Sequence, residues 1–156
     1  MNEVERVRAY LAEREPHLKI INLDTDTSTA YLAAQALGIE VAQIAKSILL
    51  KTKNNEFFMV VASGDARIDN KAVKNLMGSR VRMASGDEVL KITGFSIGGV
   101  CPFALENDIP IYIDKSLQRF DIVYTAAGTS NTILPITFNQ LCNITKSNPC
   151  DVCQVG

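Results

Sequence analysis

A chain of 156 residues is long enough for one hydrophobic core and short for two, so a single domain over residues 1–156 is expected. Its 47% hydrophobic and 21% charged residues exclude a disordered, collagen-like or fibrous chain, and no apolar run approaches the roughly 18 residues of a membrane span. A net charge of −1 excludes a protein that grips a long stretch of nucleic acid through a basic face; any nucleic-acid partner would be held over a few nucleotides.

Val4, Val7, Tyr10 and Leu11 recur at helical spacing behind a capping pair, Asn2 with Glu5, so a first helix ends before Pro16. The segment 19–23 reads as a short strand. A second helix follows Ser28, with Ala30, Ala33, Ala34 and Leu37 on one face and Gly38 as its stop. The segments 48–50 and 57–62 read as strands joined by the polar turn Lys53-Asn54-Asn55-Glu56. Asp69 caps a helix carrying Val73, Leu76 and Met77, with Gly78 after it, and 81–83 is a further strand. Ser85 with Glu88 forms a capping box for a short helix closed by Gly94. The runs 109–113 and 121–126 are β-like, and Thr137 with Gln140 opens a last short helix. Six or so strands among short helices predict a mixed α/β domain, a mixed sheet with flanking helices.

The start, Met1 to Arg6, lacks the basic-then-apolar order of a signal peptide, so the cytoplasm is the expected compartment. There Cys101, Cys142, Cys150 and Cys153 are read as free thiols. Cys150 and Cys153 form a C-x-x-C, and Cys142 could add a third zinc ligand. There is no second pair, however, and His17 is the only histidine, so we expect no metal and read the tail as a flexible terminus. The same shortage of histidine leaves Cys101 as a nucleophile with His17 as its one available base, and makes a histidine-dependent triad hard to build. Phosphate loops, nucleophile elbows and zinc-protease helices are absent from the sequence.

Three polar or glycine features interrupt apolar surroundings. Lys46 enters an apolar run, Ile44 to Leu50, either as an edge lysine reaching solvent or as a ligand for phosphate or an oxyanion. Gly98-Gly99-Val100-Cys101-Pro102-Phe103 is an ordinary turn or a loop that aims N–H groups at a developing oxyanion. Gly128-Thr129-Ser130-Asn131 ends a β-like run as a plain turn or as the wall of a small polar pocket. Asp114, closing another run, orients a loop or caps a turn.

Taken in order, these features resemble the YbaK/EbsC family, free-standing relatives of the prolyl-tRNA synthetase editing domain. The resemblance runs from Thr27 to Leu141. It includes Leu37-Gly38, Ile44-Ala45-Lys46-Ser47, the run from Ser63 to Asp69, the run from Thr93 to Phe103, and Ile113-Asp114-Lys115-Ser116-Leu117. It implies a barrel-like mixed sheet with flanking helices, and hydrolysis of the ester joining a mismatched small amino acid to the 3′-terminal adenosine of tRNA, that of proline in the first place. The implied catalytic set is Lys46, Gly98 and Gly99. Substrate binding is implied for Val100, Cys101, Pro102, Phe103, Asp114, Gly128, Thr129 and Ser130. Partners would be the 3′ acceptor end of aminoacyl-tRNA and a prolyl-tRNA synthetase, with no membrane and no cofactor. Where some alanine-removing members carry a histidine after the glycine matching Gly128, this chain has Thr129. The competing reading is a non-catalytic module of the same fold that holds a nucleotide, a tRNA or a synthetase.

Overall fold

The computed structural model describes residues 1–155. Five α-helices surround a mixed eight-stranded sheet. The helices are α1 (Glu3–Arg14), α2 (Ala30–Leu37), α3 (Asn70–Met77), α4 (Gly86–Thr93) and α5 (Phe138–Thr145). The strands are β1 (Ile21–Asn22), β2 (Ile44–Thr52), β3 (Phe57–Ser63), β4 (Ala66–Ile68), β5 (Val81–Met83), β6 (Ile111–Asp114), β7 (Val123–Ala126), β8 (Thr132–Ile136), β9 (Pro149–Cys150) and β10 (Cys153–Val155). The helices begin where the sequence offers an oxygen to an orphan N–H. The side chains of Asn2, Thr29, Asp69, Ser85 and Thr137 each accept from the first turn, and the boxes at Ser85–Glu88 and Thr137–Gln140 are closed in both directions. Gly38, Gly78 and Gly94 end their helices in the left-handed conformation.

The sheet runs β1-β8-β7-β2-β3-β6-β9, with β5 added to β2. Both faces of its centre are covered. Met59 and Val61 point toward Val7 and Leu11 of α1 and Leu141 of α5, while Phe58, Val60 and Ala62 point toward Val73 of α3 and Val152. That two-sided burial explains why 57–62 reads as an unbroken apolar run instead of an alternating one.

Strand β2 is where the sheet forks. On one side it pairs with β3 along nearly its whole length. On the other it pairs with β7 only at Ile44 and Ala45, in parallel, and with β5 only from Leu50 to Thr52, antiparallel. Between those partners lies an open stretch of strand edge. The carbonyl of Ile44 faces β3, accepting from Gly64, so Ile44, Lys46 and Ile48 turn their backbone polar groups toward β3. Ala45, Ser47 and Leu49 turn theirs the other way; the Leu49 carbonyl accepts from Ala84, and Ser47 faces the opening.

The tail corrects the expectation of a flexible terminus. β9 pairs with β6 and β10 pairs with β4, so 149–155 is part of the fold. Buried Asp114 secures it, one carboxylate oxygen accepting from Ser116 N–H (2.9 Å) and the other from Val152 N–H (2.9 Å). No group of three or more histidine, cysteine or acidic side chains arranged to hold a metal occurs among the described residues.

Candidate active-site cleft

The fork opens into a cleft of about 250 Å³. Its floor is β2 from Ile44 to Leu49. One wall is the segment from Thr27 to Ala30 with Ala33 of α2, and the facing wall is Met83 and Ala84 with Val89 of α4. Ile97, Gly98 and Val100 close the mouth. The lining is mostly apolar with a few polar atoms, the usual make-up of a small-molecule site.

Lys46 is the cation in this cleft. Its Nζ donates to Ala66 O (2.6 Å) and to Gly64 O (3.4 Å), the carbonyls of the turn between β3 and β4. An ammonium has three donors, so one direction stays open toward a ligand. Burial lowers its pKa from the ordinary lysine value, against the opposing pull of Cys153 and Asp65. Next to it, the hydroxyl of Ser47 is buried without a hydrogen-bond partner. Its backbone N–H and C=O lie at the open strand edge, beside the cleft.

The turn that holds Lys46 is itself clamped. Arg119, from the 3₁₀ turn after β6, donates to both carboxylate oxygens of Asp65 (2.6 and 3.1 Å) and to Ser63 Oγ (2.8 Å). The bond from Arg119 holds the Asp65 carboxyl below its usual range. A carboxylate whose folded pKa is depressed contributes stability above its unfolded pKa and loses it as pH falls through the folded value. Thermal melts of wild type and Asp65→Asn between pH 7 and pH 2.5 should therefore converge on acidification. A gap independent of pH would show that the pairing contributes no electrostatic stability.

The glycine loop divides its labour. Gly98 lines the cleft at φ +100°, against Ser28 and Ser130. Gly99 does not offer a free donor: its N–H goes to Ser96 O (3.0 Å) and its carbonyl accepts from Gly128 N–H (3.0 Å). A methyl on Gly99 would stand 2.6 Å from the backbone of Gly128. The N–H groups of Gly98 and Val100 have no acceptor among the described residues. Cys101 and Phe103 are wholly buried in the core, and burial pushes the Cys101 thiol up to about 12, which keeps it protonated and removes it as a nucleophile. Pro102 is buried too and lines a separate pocket beside α1.

Gly128, Thr129 and Ser130 stand behind the cleft wall. The carbonyl of Ser130 accepts from the N–H (2.6 Å) and the hydroxyl (2.9 Å) of Thr27, which lines the cleft. Thr129 Oγ1 bonds to Asn131 and Thr132. Of the residues expected from the sequence, the structure brings Lys46, Gly98 and Val100 to one cavity. Gly99, Gly128, Thr129 and Ser130 brace it, and Cys101, Pro102, Phe103 and Asp114 lie away from its lining. Sequence reading missed Thr27, Ser28 and Met83, whose place depends on distant segments, and the Asp65–Arg119 pair, 54 residues apart. Ser47 had a signal, a hydroxyl beside Lys46 in an apolar run.

Residues 24–144 match the family model of the aminoacyl-tRNA editing domain. The chain is 36% identical over 152 residues to the uncharacterised protein YwhH of Bacillus subtilis, covering 97% of each. It is 28% identical over 114 residues to the prolyl-tRNA editing protein ProX of Acetoanaerobium sticklandii, covering 69% of this chain and 70% of that one. Against the proline–tRNA ligase of Trichlorobacter lovleyi, 25% identical over 142 residues, it spans 25% of the longer protein. A solved structure described as a candidate trans-editing enzyme for prolyl tRNA synthetase superposes with a TM-score of 0.90 at 34% identity, over 99% of this chain and 98% of that one.

Proposed function

Because the chain belongs to the aminoacyl-tRNA editing domain family, we propose that its cleft hydrolyses the ester between a small, wrongly attached amino acid and the 3′ end of tRNA, that of proline first. The observation that carries this reading is convergence: a cation with one free donor, two unpaired loop N–H groups and the open polar edge of Ser47 meet in one apolar cleft.

An aminoacyl ester is already activated, so its hydrolysis needs a placed water and a stabilised oxyanion more than a strong nucleophile. In this scheme Lys46 binds the terminal phosphate or a charge close to it. The N–H groups of Gly98 and Val100 take the ester carbonyl, whose oxygen becomes negative as water adds to the acyl carbon. The carbon–oxygen bond to the ribose then breaks, and the proton from water leaves with the ribose hydroxyl. Ser47 receives the amino group or the neighbouring ribose hydroxyl, and no cofactor is called for. Ala30, Ala33 and Ala45 keep the pocket narrow, so acyl groups are sorted by size before chemistry. The substrate places the enzyme in the cytoplasm, clearing the errors of a prolyl-tRNA synthetase.

The test is deacylation of tRNA for proline mischarged with alanine, serine or cysteine. At least one ester should disappear far faster than in buffer. Hydrolysis of none would overturn the deacylase reading in favour of a binding module of the same fold.

A further inference from the structure

The chain is nearly neutral overall, yet one groove concentrates positive charge. Lys51, Lys53, Arg80 and Arg82 line an open groove of about 370 Å³ with Thr52 and Val81. One carboxylate answers them: Glu88 pairs with Lys51 (2.8 Å) and Arg82 (3.1 Å). Those two cations hold its carboxyl well below the usual range, so it stays charged. Lys53 and Arg80 are exposed and have no ion-pair partner among the described residues.

The groove continues the cleft. Along β5, Val81 and Arg82 line the groove and Met83 lines the cleft; along β2, Leu49 lines the cleft and Lys51 the groove. From Met83 to Arg80 is three strand residues, or about 10 Å. At the junction Met83 and Ile97, each 69% exposed, form an apolar rim against which the face of a base can pack.

We propose that this groove carries the sugar–phosphate backbone of the tRNA strand leading into the cleft. The terminal adenosine rests on the Met83–Ile97 rim with its own phosphate at Lys46, and the phosphates before that one meet Lys51 and Arg82, then Lys53 and Arg80. The proposal rests on the deacylase reading. It also reconciles the net charge with an RNA substrate, because a grip of a few phosphates needs a few cations in one place.

The experiment compares wild type with the double variant Lys53→Gln/Arg80→Gln on mischarged tRNA and on the matching 3′-aminoacyl-adenosine, which has no phosphate to reach the groove. The KM for tRNA should rise about fivefold or more with kcat within about twofold, and the preference for tRNA over the aminoacyl-adenosine should fall by the same factor. The slope of log affinity against log salt should become shallower by about 1.4, the size expected for two lost contacts to a single strand. Arg8→Gln/Lys19→Gln, which removes the same charge from exposed positions near α1, is the control. An unchanged KM and salt slope, or an equal effect from the control pair, would overturn the proposal. If wild type hydrolyses neither ester, the deacylase reading fails by itself, and anisotropy of a labelled acceptor-stem hairpin then decides the groove: binding weakened only by Lys53→Gln/Arg80→Gln upholds it, and binding unaffected by that variant sinks it.

Discussion

Lys46→Ala should lower kcat/KM for deacylation by about a hundredfold to a thousandfold, the usual loss when one partner of a half-buried, hydrogen-bonded charge pair is removed. The side chain is fixed by two backbone carbonyls in a turn that is itself clamped by Arg119, so its ammonium meets the substrate already in place. Lys46→Arg should restore little, because a planar guanidinium cannot sit between those carbonyls and still aim a donor into the cleft as an ammonium does. The pH profile gives a second signature. Burial lowers the Lys46 pKa, so the ammonium is lost, and the enzymatic rate falls, at a pH below that of an ordinary lysine. After subtraction of spontaneous ester hydrolysis, that alkaline limb should appear in wild type and be missing from the residual activity of Lys46→Ala. A variant retaining full activity would leave the cleft standing and remove the lysine from the chemistry.

Gly99→Ala should be nearly as damaging by a different route. The added methyl meets the Gly128 carbonyl carbon and oxygen at 2.6 Å and the Thr129 nitrogen at 2.7 Å, all backbone atoms that cannot turn aside. The two loops must separate, at a cost of about 1–3 kcal/mol for overpacking. For a chain of this size that is a fall in Tm of roughly 2–12 °C. The separation also displaces Gly98 and Val100, and a shift near 1 Å in a positioned group costs about a hundredfold in rate. Gly78→Ala makes the comparison sharp. It sits after α3 at φ +71° with nothing near its would-be methyl, so it should cost about 1–2 kcal/mol of backbone strain and leave kcat alone. Activity losses of equal size in the two variants would mean that stability, not loop geometry, is what the assay reads.

Much of this fold was legible because its signals are local. Four helix starts were marked by a capping oxygen and three helix ends by glycine, so α1, α3, α4 and α5 lie where the pattern put them, while α2 is capped by Thr29, one residue beyond the expected Ser28. Strands were harder. β2 extends from Ile44 to Thr52, well beyond the expected 48–50, since Lys46 and Ser47 break the apolar run that signals a strand. β8 escaped notice because it contains Pro135, and β4, β9 and β10 are two or three residues long and exist only through their partners. The expected strand at 19–23 shrinks to Ile21–Asn22. For the cleft, Lys46 and Gly98 stood out as residues unsuited to plain structure. Thr27 and Met83 did not, being ordinary residues whose importance comes from what the chain folds beside them. Asp114 stood out for a sound reason: its carboxyl caps the turn that follows, as expected, and also ties down the tail.

An unpaired strand edge is ordinarily a hazard, since its free N–H and C=O groups can recruit a strand from another molecule and begin aggregation. The break in β2 avoids this by its size. With β7 ending on one side and β5 beginning on the other, the backbone of Ser47 and the N–H of Leu49 are left bare. No invading strand can gain a ladder from so short a ledge. A single amino acid, however, carries one amino group and one carbonyl, which is the length of backbone the ledge can receive. The same narrowness that denies an invading strand a ladder at this edge thus favours an occupant one residue long over a peptide.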